Sequence, residues 1–457
     1  MKRQAAWIAL GTGVLMMGTA GASAANCTIA YDGTNPNYAP DDSSFALLID
    51  GFEALLGSRA NCAPVVPAHS NTANDPDVFE VYRADVRGFV GPEDADRAKV
   101  TVKANNRTYT ETFDINDDPV IDHYIGKESD GTLKSEIELE VTKANDPGTV
   151  AQIDTIDYAL VGTMTRAQAE ASLDDLGNAQ TAMVTHLDAT SGLLTGGNLS
   201  LEGDNEVRVL GGLGSYMIGG NVRYNISEGF SLLAGVSIID QSAGGAQYTA
   251  GLGAAALRFV QPDNGGMRFF GEAGATGGLV AMQFSRTYTD DNSTQTVTGN
   301  GTGALGAGYL RGGLVVDIDD RNELVLSGSV KQTFVGFGDY AETVRSGNLF
   351  AADLINQSAG FTTAKITADW TSSLSQELDL TLHGGVGTTM ANQATSAYIV
   401  GGGTTTGAVA STLFAEYGLG LGWHPSPDTT IEGFVQGSTG TDIGTHLQAG
   451  AGYRLKF

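Results

Sequence analysis

Residues His446 to Phe457, HLQAGAGYRLKF, alternate without one error. Leu447, Ala449, Ala451, Tyr453, Leu455 and Phe457 fall on one face. His446, Gln448, Gly450, Gly452, Arg454 and Lys456 fall on the other, which is the period-two signature of a strand. An upstream run repeats it, with Leu413, Ala415, Tyr417, Leu419, Leu421 and Trp423 set against Glu416, Gly418, Gly420, Gly422 and His424. Phe230, Leu232, Ala234, Val236 and Ile238 follow suit, as do Ala364, Ile366, Ala368 and Trp370 against Lys365, Thr367 and Asp369. A soluble sandwich also alternates, but its polar face is rich in charged and polar side chains. Here that face is mostly glycine with single charges between. Glycine suits a wall that curves or is closely approached, and lone charges suit a wet interior, so the pattern predicts lipid outside and a polar lumen inside.

Outward from that run, the same reading finds about twelve strands. They lie near 206–214, 217–226, 229–240, 247–260, 266–283, 302–318, 322–337, 359–371, 377–391, 406–424, 428–439 and 444–457. Short turns are expected at 227–229, 261–266, 319–322, 373–376 and 424–428, and longer connections at 288–299, 338–358 and 392–405. Alternating short and long connections are what an outer-membrane barrel has. Tyr224, Phe230, Phe269, Trp370, Trp423, Tyr453 and Phe457 sit at strand ends beside short turns or at the last strand, where an interfacial girdle belongs. Arg223, Arg268, Glu272, Lys365, Asp369, Glu416 and Arg454 are the expected lumen charges.

Ahead of the barrel, Thr165 and Gln168 form a capping box. Ala169, Leu173, Leu176, Met183 and Leu187 make a narrow apolar stripe, predicting a helix over 165–187, with Glu170, Asp174, Asp175 and His186 on its other faces. Charges like these cannot face lipid, so the helix is expected inside the lumen as a plug, its carboxylates paired with inward Arg and Lys.

The whole chain has 457 residues, 63 of them Gly, with 52 acidic and 25 basic side chains and a net charge of −27. This excess of negative charge argues against nucleic acid as a partner. At its start, Lys2 and Arg3, an apolar core over 5–17 and the small residues Ala22, Ser23 and Ala24 read as an export signal cleaved near Ala25. Beyond it no stretch of about 18 apolar residues occurs. Residues 26–162 hold 25 acidic against 10 basic residues. Cys27 and Cys62 are the two cysteines of the chain and are expected to pair in an oxidising compartment, closing a loop worth about 3–4 kcal/mol. Strands are expected at 78–90, 99–115, 133–142 and 153–161, giving a small sandwich-like β domain. It has no nucleophile elbow and no two-histidine zinc pattern, so neither an enzyme nor a cofactor is implied. Asp114, Asn116, Asp117 and Asp118 could supply oxygen ligands to calcium and resemble in outline the linker of cadherin-type repeats. The plainer reading is a solvated acidic turn.

Signal, exported domain, linker helix and twelve-stranded C-terminal barrel together resemble a monomeric autotransporter of the type Va secretion family. The resemblance runs from Thr165 to Phe457. It divides the chain into a signal (1–25), a passenger (26–162), a linker with a lumen helix (163–205) and a barrel (206–457). It implies a mainly β protein in the bacterial outer membrane, in contact with lipid and with the barrel assembly machinery, which would read Tyr453, Leu455 and Phe457 as a terminal signal. It also implies that the acidic domain is exported or displayed for adhesion or for binding an unknown extracellular ligand. The passenger departs from the family pattern in being short and lacking β-helix rungs. The other reading is a porin-like channel carrying a periplasmic acidic domain.

Overall fold

The computed structural model describes residues 23–32, 77–90, 97–104, 107–114, 121–126, 134–144, 152–194 and 204–457, apart from short breaks at 215, 263–265, 291–292, 339, 344 and 346. The signal core and Cys62 lie outside these residues, as do Asn116, Asp117 and Asp118 of the acidic turn. The chain divides into two compact units. One takes in the described segments up to Tyr158 except 77–83 and 124–126, which belong with Ala159–Phe457 in the other.

In the N-terminal region the strands are Ser23–Asp32 (β1), Val78–Val90 (β2), Arg97–Ala104 (β3), Arg107–Asp114 (β4), Ile121–Gly126 (β5), Lys134–Ala144 (β6) and Gln152–Thr165 (β7). β1, β6, β3 and β4 form one four-stranded antiparallel sheet, and β5, β2 and β7 a three-stranded one. The single strand expected over 99–115 is instead the pair β3 and β4, antiparallel from Arg97 opposite Asp114 to Ala104 opposite Arg107. Cys27 lies in β1 with its backbone opposite Leu139, and Asp114 ends β4 opposite Arg97. The expected boundary at 162/163 falls inside β7, which runs directly into the helix α1, Arg166–Leu194.

The remaining strands are Glu206–Leu213 (β8), Tyr216–Ser227 (β9), Phe230–Ala243 (β10), Ala246–Val260 (β11), Met267–Thr289 (β12), Thr294–Asp319 (β13), Asn322–Gly336 (β14), Ala352–Leu354 (β15), Ser358–Ser373 (β16), Leu378–Ala391 (β17), Ser396–Ile399 (β18), Gly403–Thr406 (β19), Ser411–Ser426 (β20), Thr429–Gly440 (β21) and Gly444–Lys456 (β22). Twelve close into an antiparallel barrel in the order β10-β11-β12-β13-β14-β16-β17-β20-β21-β22-β8-β9. First and last strands meet directly, Glu206 opposite Lys456 and Leu213 opposite Ala449.

The alternation that announced the strands is visible as burial. β11 alternates buried and exposed along nearly its whole length. Large apolar side chains such as Leu279, Leu310, Ile366, Leu413 and Leu447 are more than half exposed on the outside. An outward apolar belt on a closed barrel is a surface for hydrocarbon, so the barrel is of the outer-membrane kind. Tyr224, Phe269, Trp423, Tyr453 and Phe457 are exposed at the short-turn rim, and Trp370 is half-buried there.

The long-loop rim differs from expectation. The connection expected over 288–299 is largely strand, because β12 and β13 stay paired to Thr289 and Thr294, and the Asp290 N–H donates to the Ser293 carbonyl at 3.0 Å. The other two long connections carry β15, β18 and β19, which form a small three-stranded sheet.

Candidate functional site

The site is the lumen and what fills it. The predicted cap on α1 is formed. The Thr165 backbone N–H donates to the Gln168 side-chain oxygen at 2.8 Å, and the Gln168 N–H donates to Thr165 Oγ1 at 3.3 Å. Ala169, Leu173, Leu176, Met183 and Leu187 are all buried. The helix is seven residues longer than its predicted end at Leu187, and from Leu176 onward nearly all of its circumference is buried. A polar helix tolerates this because its hydroxyls turn back onto its own carbonyls. Ser172 donates to the Ala169 carbonyl at 2.7 Å, Thr181 to Gly177 at 2.9 Å, Thr190 to His186 at 3.0 Å and Ser191 to Asp188 at 2.9 Å. Glycine lets the wall come close. A Cβ at Gly244 would lie 2.7 Å from that of Ala182, and one at Gly235 would lie 2.7 Å from the Leu194 carbonyl oxygen.

At 1.5 Å per residue α1 is roughly 43 Å long, yet it does not cross the whole lumen. Its last turn stops near Gly235 and Asn221, midway along the paired β9 and β10. There Asn221 Nδ2 donates to the Leu193 carbonyl at 2.8 Å, satisfying a helix-end acceptor. Beneath lies a cavity of about 250 Å³ roofed by Leu193 and floored by polar groups of the short-turn rim. A cavity of about 100 Å³ remains beside the last turns, lined by His186, Asp188, Lys331 and His383 among others.

Three layers of charge grip this arrangement. At the long-loop rim, Arg286 forks onto Glu342, with Nε–Oε1 at 2.9 Å and Nη2–Oε2 at 2.7 Å. Its remaining donors reach Ser172 Oγ of the helix at 2.9 Å and the Phe350 carbonyl at 2.7 Å. Glu342 also accepts the Tyr340 hydroxyl at 3.3 Å and the Ala352 N–H at 3.0 Å. Burial, then the neighbouring Glu342 carboxylate, pushes the Tyr340 phenol well up, so it remains a donor.

In the middle layer Asp188 takes Lys331 at 2.9 Å and Lys365 at 3.1 Å. Lys365 continues to Glu416 at 3.3 Å, while His383 bridges Asp369 at 2.5 Å and Glu416 at 3.7 Å, and Arg311 stands 3.5 Å from Asp369. Arg258 pairs with Glu272 at 2.7 Å. In the lowest layer Arg208 and Arg454 hold Glu432 at 2.7 and 2.8 Å, and Arg223 and Arg454 lie 3.6 and 3.4 Å from Glu206. Arg268 joins Asp317 at 3.0 Å and Glu323 at 3.2 Å.

Arg223, Arg268, Glu272, Lys365, Asp369, Glu416 and Arg454 therefore all face the lumen, distributed over these layers. The helix carboxylates named from the sequence lie elsewhere. Glu170 and Asp175 are exposed, and Asp174 accepts the Ala408 N–H at 2.5 Å. The carboxylate that engages lysine is Asp188, one residue past the predicted end. The seven-residue step from Leu187 to Leu194 was the signal for it, masked by the intervening Thr190, Ser191 and Gly192. His186 is buried, its Nδ1 3.2 Å from Ser438 Oγ and its ring 5.0 Å from that of His446. At the last strand, Tyr453 and Leu455 face outward and the Phe457 N–H donates to the Asn205 carbonyl at 3.0 Å.

The long-loop mouth is plugged by residues from far upstream. Phe79, Val81 and Met164 are buried against Leu349, Phe350, Ile399 and Val400. The Glu80 N–H donates to the Gly401 carbonyl at 3.2 Å, and Arg166 lies 5.3 Å from the Phe79 ring centre. Gly401 has φ +85°, and a Cβ on Gly402 would overlap the Phe79 ring.

No protein-family model matches the chain, and no curated protein is similar to it in sequence. Among solved structures the barrel is similar to the translocator domain of the autotransporter NalP from Neisseria meningitidis, at 15% identity and TM-score 0.41 over 60% of this chain and 97% of that one. It is similar to the β domain of the Bordetella autotransporter BrkA at 14% and 0.36, over 56% and 99%. The transport unit of AIDA-I from Escherichia coli follows at 12% and 0.34, over 59% and 97%. These likenesses are of barrel architecture alone.

Proposed function

We propose that the protein is an autotransporter-type outer-membrane barrel that carries its own N-terminal acidic region to the cell surface and keeps it there. The supporting observation is the mouth. Residues 77–83 and 159–165, separated in sequence by most of the acidic region, are both packed into the long-loop rim, and the second runs straight into the lumen helix. Long external loops mark that rim as the outward one, so the chain emerges outward and is fastened at its point of exit. Fastening at two segments fits display better than release. The chemistry is transport and retention without turnover, and the lumen charges serve to hold α1. The exposed acidic region would then meet an extracellular ligand, and the barrel would contact lipid and the assembly machinery as a monomer.

Protease added to intact cells tests this reading. It should remove the acidic region while a fragment containing α1 and the barrel survives. An acidic region cut only after the outer membrane is permeabilised would replace this reading with that of a channel bearing a periplasmic domain.

A further inference from the structure

The outer surface of β10 to β13 changes character abruptly toward the long-loop rim. Its apolar outward side chains stop at Ile238 on β10 and Leu279 on β12, both more than 60% exposed. About 9–11 residues per strand suffice to cross hydrocarbon, and β12 and β13 have 23 and 26. The surplus is not loop-like. Tyr248, Met282, Phe284, Tyr288 and Val297 are buried on its inner face, so the outer face is backed by packed side chains.

That outer face is composed almost wholly of hydroxyls and amides. Register sets Asp240 beside Thr249, then Ala281 and Thr302, in one row across four strands. Gln247, Gln283 and Asn300 make the next row. Farther out, Thr287 faces Thr296 at 3.4 Å and Thr289 faces Thr294 at 3.1 Å between hydroxyl oxygens. A shallow recess of about 570 Å³ lies between the first two rows. Asp240 is its one charged lining residue, and no Lys or Arg lines it.

We infer that this recess binds the neutral saccharide headgroup of a glycolipid in the surrounding leaflet. Amides and hydroxyls spaced along neighbouring strands offer donors and acceptors matched to sugar hydroxyls, and Ala281 leaves a small apolar floor for a ring face. Phosphate is disfavoured, because the recess has a carboxylate and no cation to receive it. The source follows from continuity. The rows rest directly on the apolar belt, so a ligand with its sugar in the recess has its acyl chains along Ile238 and Leu279. The inference depends on the barrel standing in a bilayer and is independent of the export reading.

The full chain reconstituted in phosphatidylcholine vesicles containing equal amounts of a digalactosyl diacylglycerol and phosphatidylglycerol, then extracted and weighed by native mass spectrometry, provides the test. Galactolipid should be retained several-fold over phosphatidylcholine. Gln283→Ala with Asn300→Ala should bring the ratio to parity, and Thr302→Lys should shift preference toward phosphatidylglycerol. All three positions lie at the surface, so the heat-modified gel mobility of the folded barrel should be unchanged in these variants. Equal retention of galactolipid and phosphatidylcholine by the unaltered chain would overturn the inference. So would retention indifferent to the substitutions, full displacement by free digalactose, or a dimer mass in place of bound lipid.

Discussion

Asp188 carries an obligation that few side chains in the wall share. It is buried between two lysines, and each lysine has been taken out of water on its account. Replacing it with Ala leaves Lys331 with the Ser191 hydroxyl and Lys365 with Glu416 alone, and removing one partner of a buried charge set costs about 3–5 kcal/mol. Asp188→Ala should therefore lower the denaturant midpoint of the folded barrel in detergent. Asp188→Leu combined with Lys331→Met should recover much of the loss, since an apolar replacement of the pair removes the stranded charge. On the opposite face the physics is that of lipid. Leu419 is 43% exposed among the outward side chains of β20, and Lys there should destabilise by roughly 2–4 kcal/mol near the midplane. Lys at the inward Gly420 should cost less. Equal losses in unfolding experiments at the two positions would contradict the assigned faces.

At the scale of elements, the strands were legible because lipid and lumen impose opposite demands on successive residues, and no tertiary detail can relax that. The α1 cap was legible for a similar reason, since Thr165 and Gln168 are local partners. What stayed hidden depends on distant residues. The segment 290–298 reads as loop from its Asp, Asn and Ser, yet its β-branched threonines sit outward while Val297 is buried inward, and pairing carries the hairpin on. Phe79 reads as a core residue of the acidic domain. Only the fold brings it to Gly402, 323 residues downstream. Gly402→Val should expel Phe79 and make 77–83 sensitive to protease while the barrel keeps its heat-modified gel mobility. The lumen helix gives the companion test. A chain lacking 26–194 should insert and conduct ions more strongly in planar bilayers than one that retains α1, and like conductance would place the resistance to flow elsewhere.

For the whole molecule, closure of the ring rests on β22, which pairs on one side with β21 and on the other with β8. Phe457 is the exposed aromatic at the end of that strand. Phe457→Asp should reduce the protein recovered from outer membranes and leave it in the periplasm; normal insertion would remove the assembly role from this residue. The ring also has a topological consequence. It is shut by hydrogen bonds alone, and α1 inside it leads to β8, so the chain passes like a thread through a bead made of its own later residues. Any folded domain ahead of the helix then acts as a knot on that thread. Pulling from the short-turn side cannot draw the helix free unless the knot unravels or the bead splits at the β8–β22 seam.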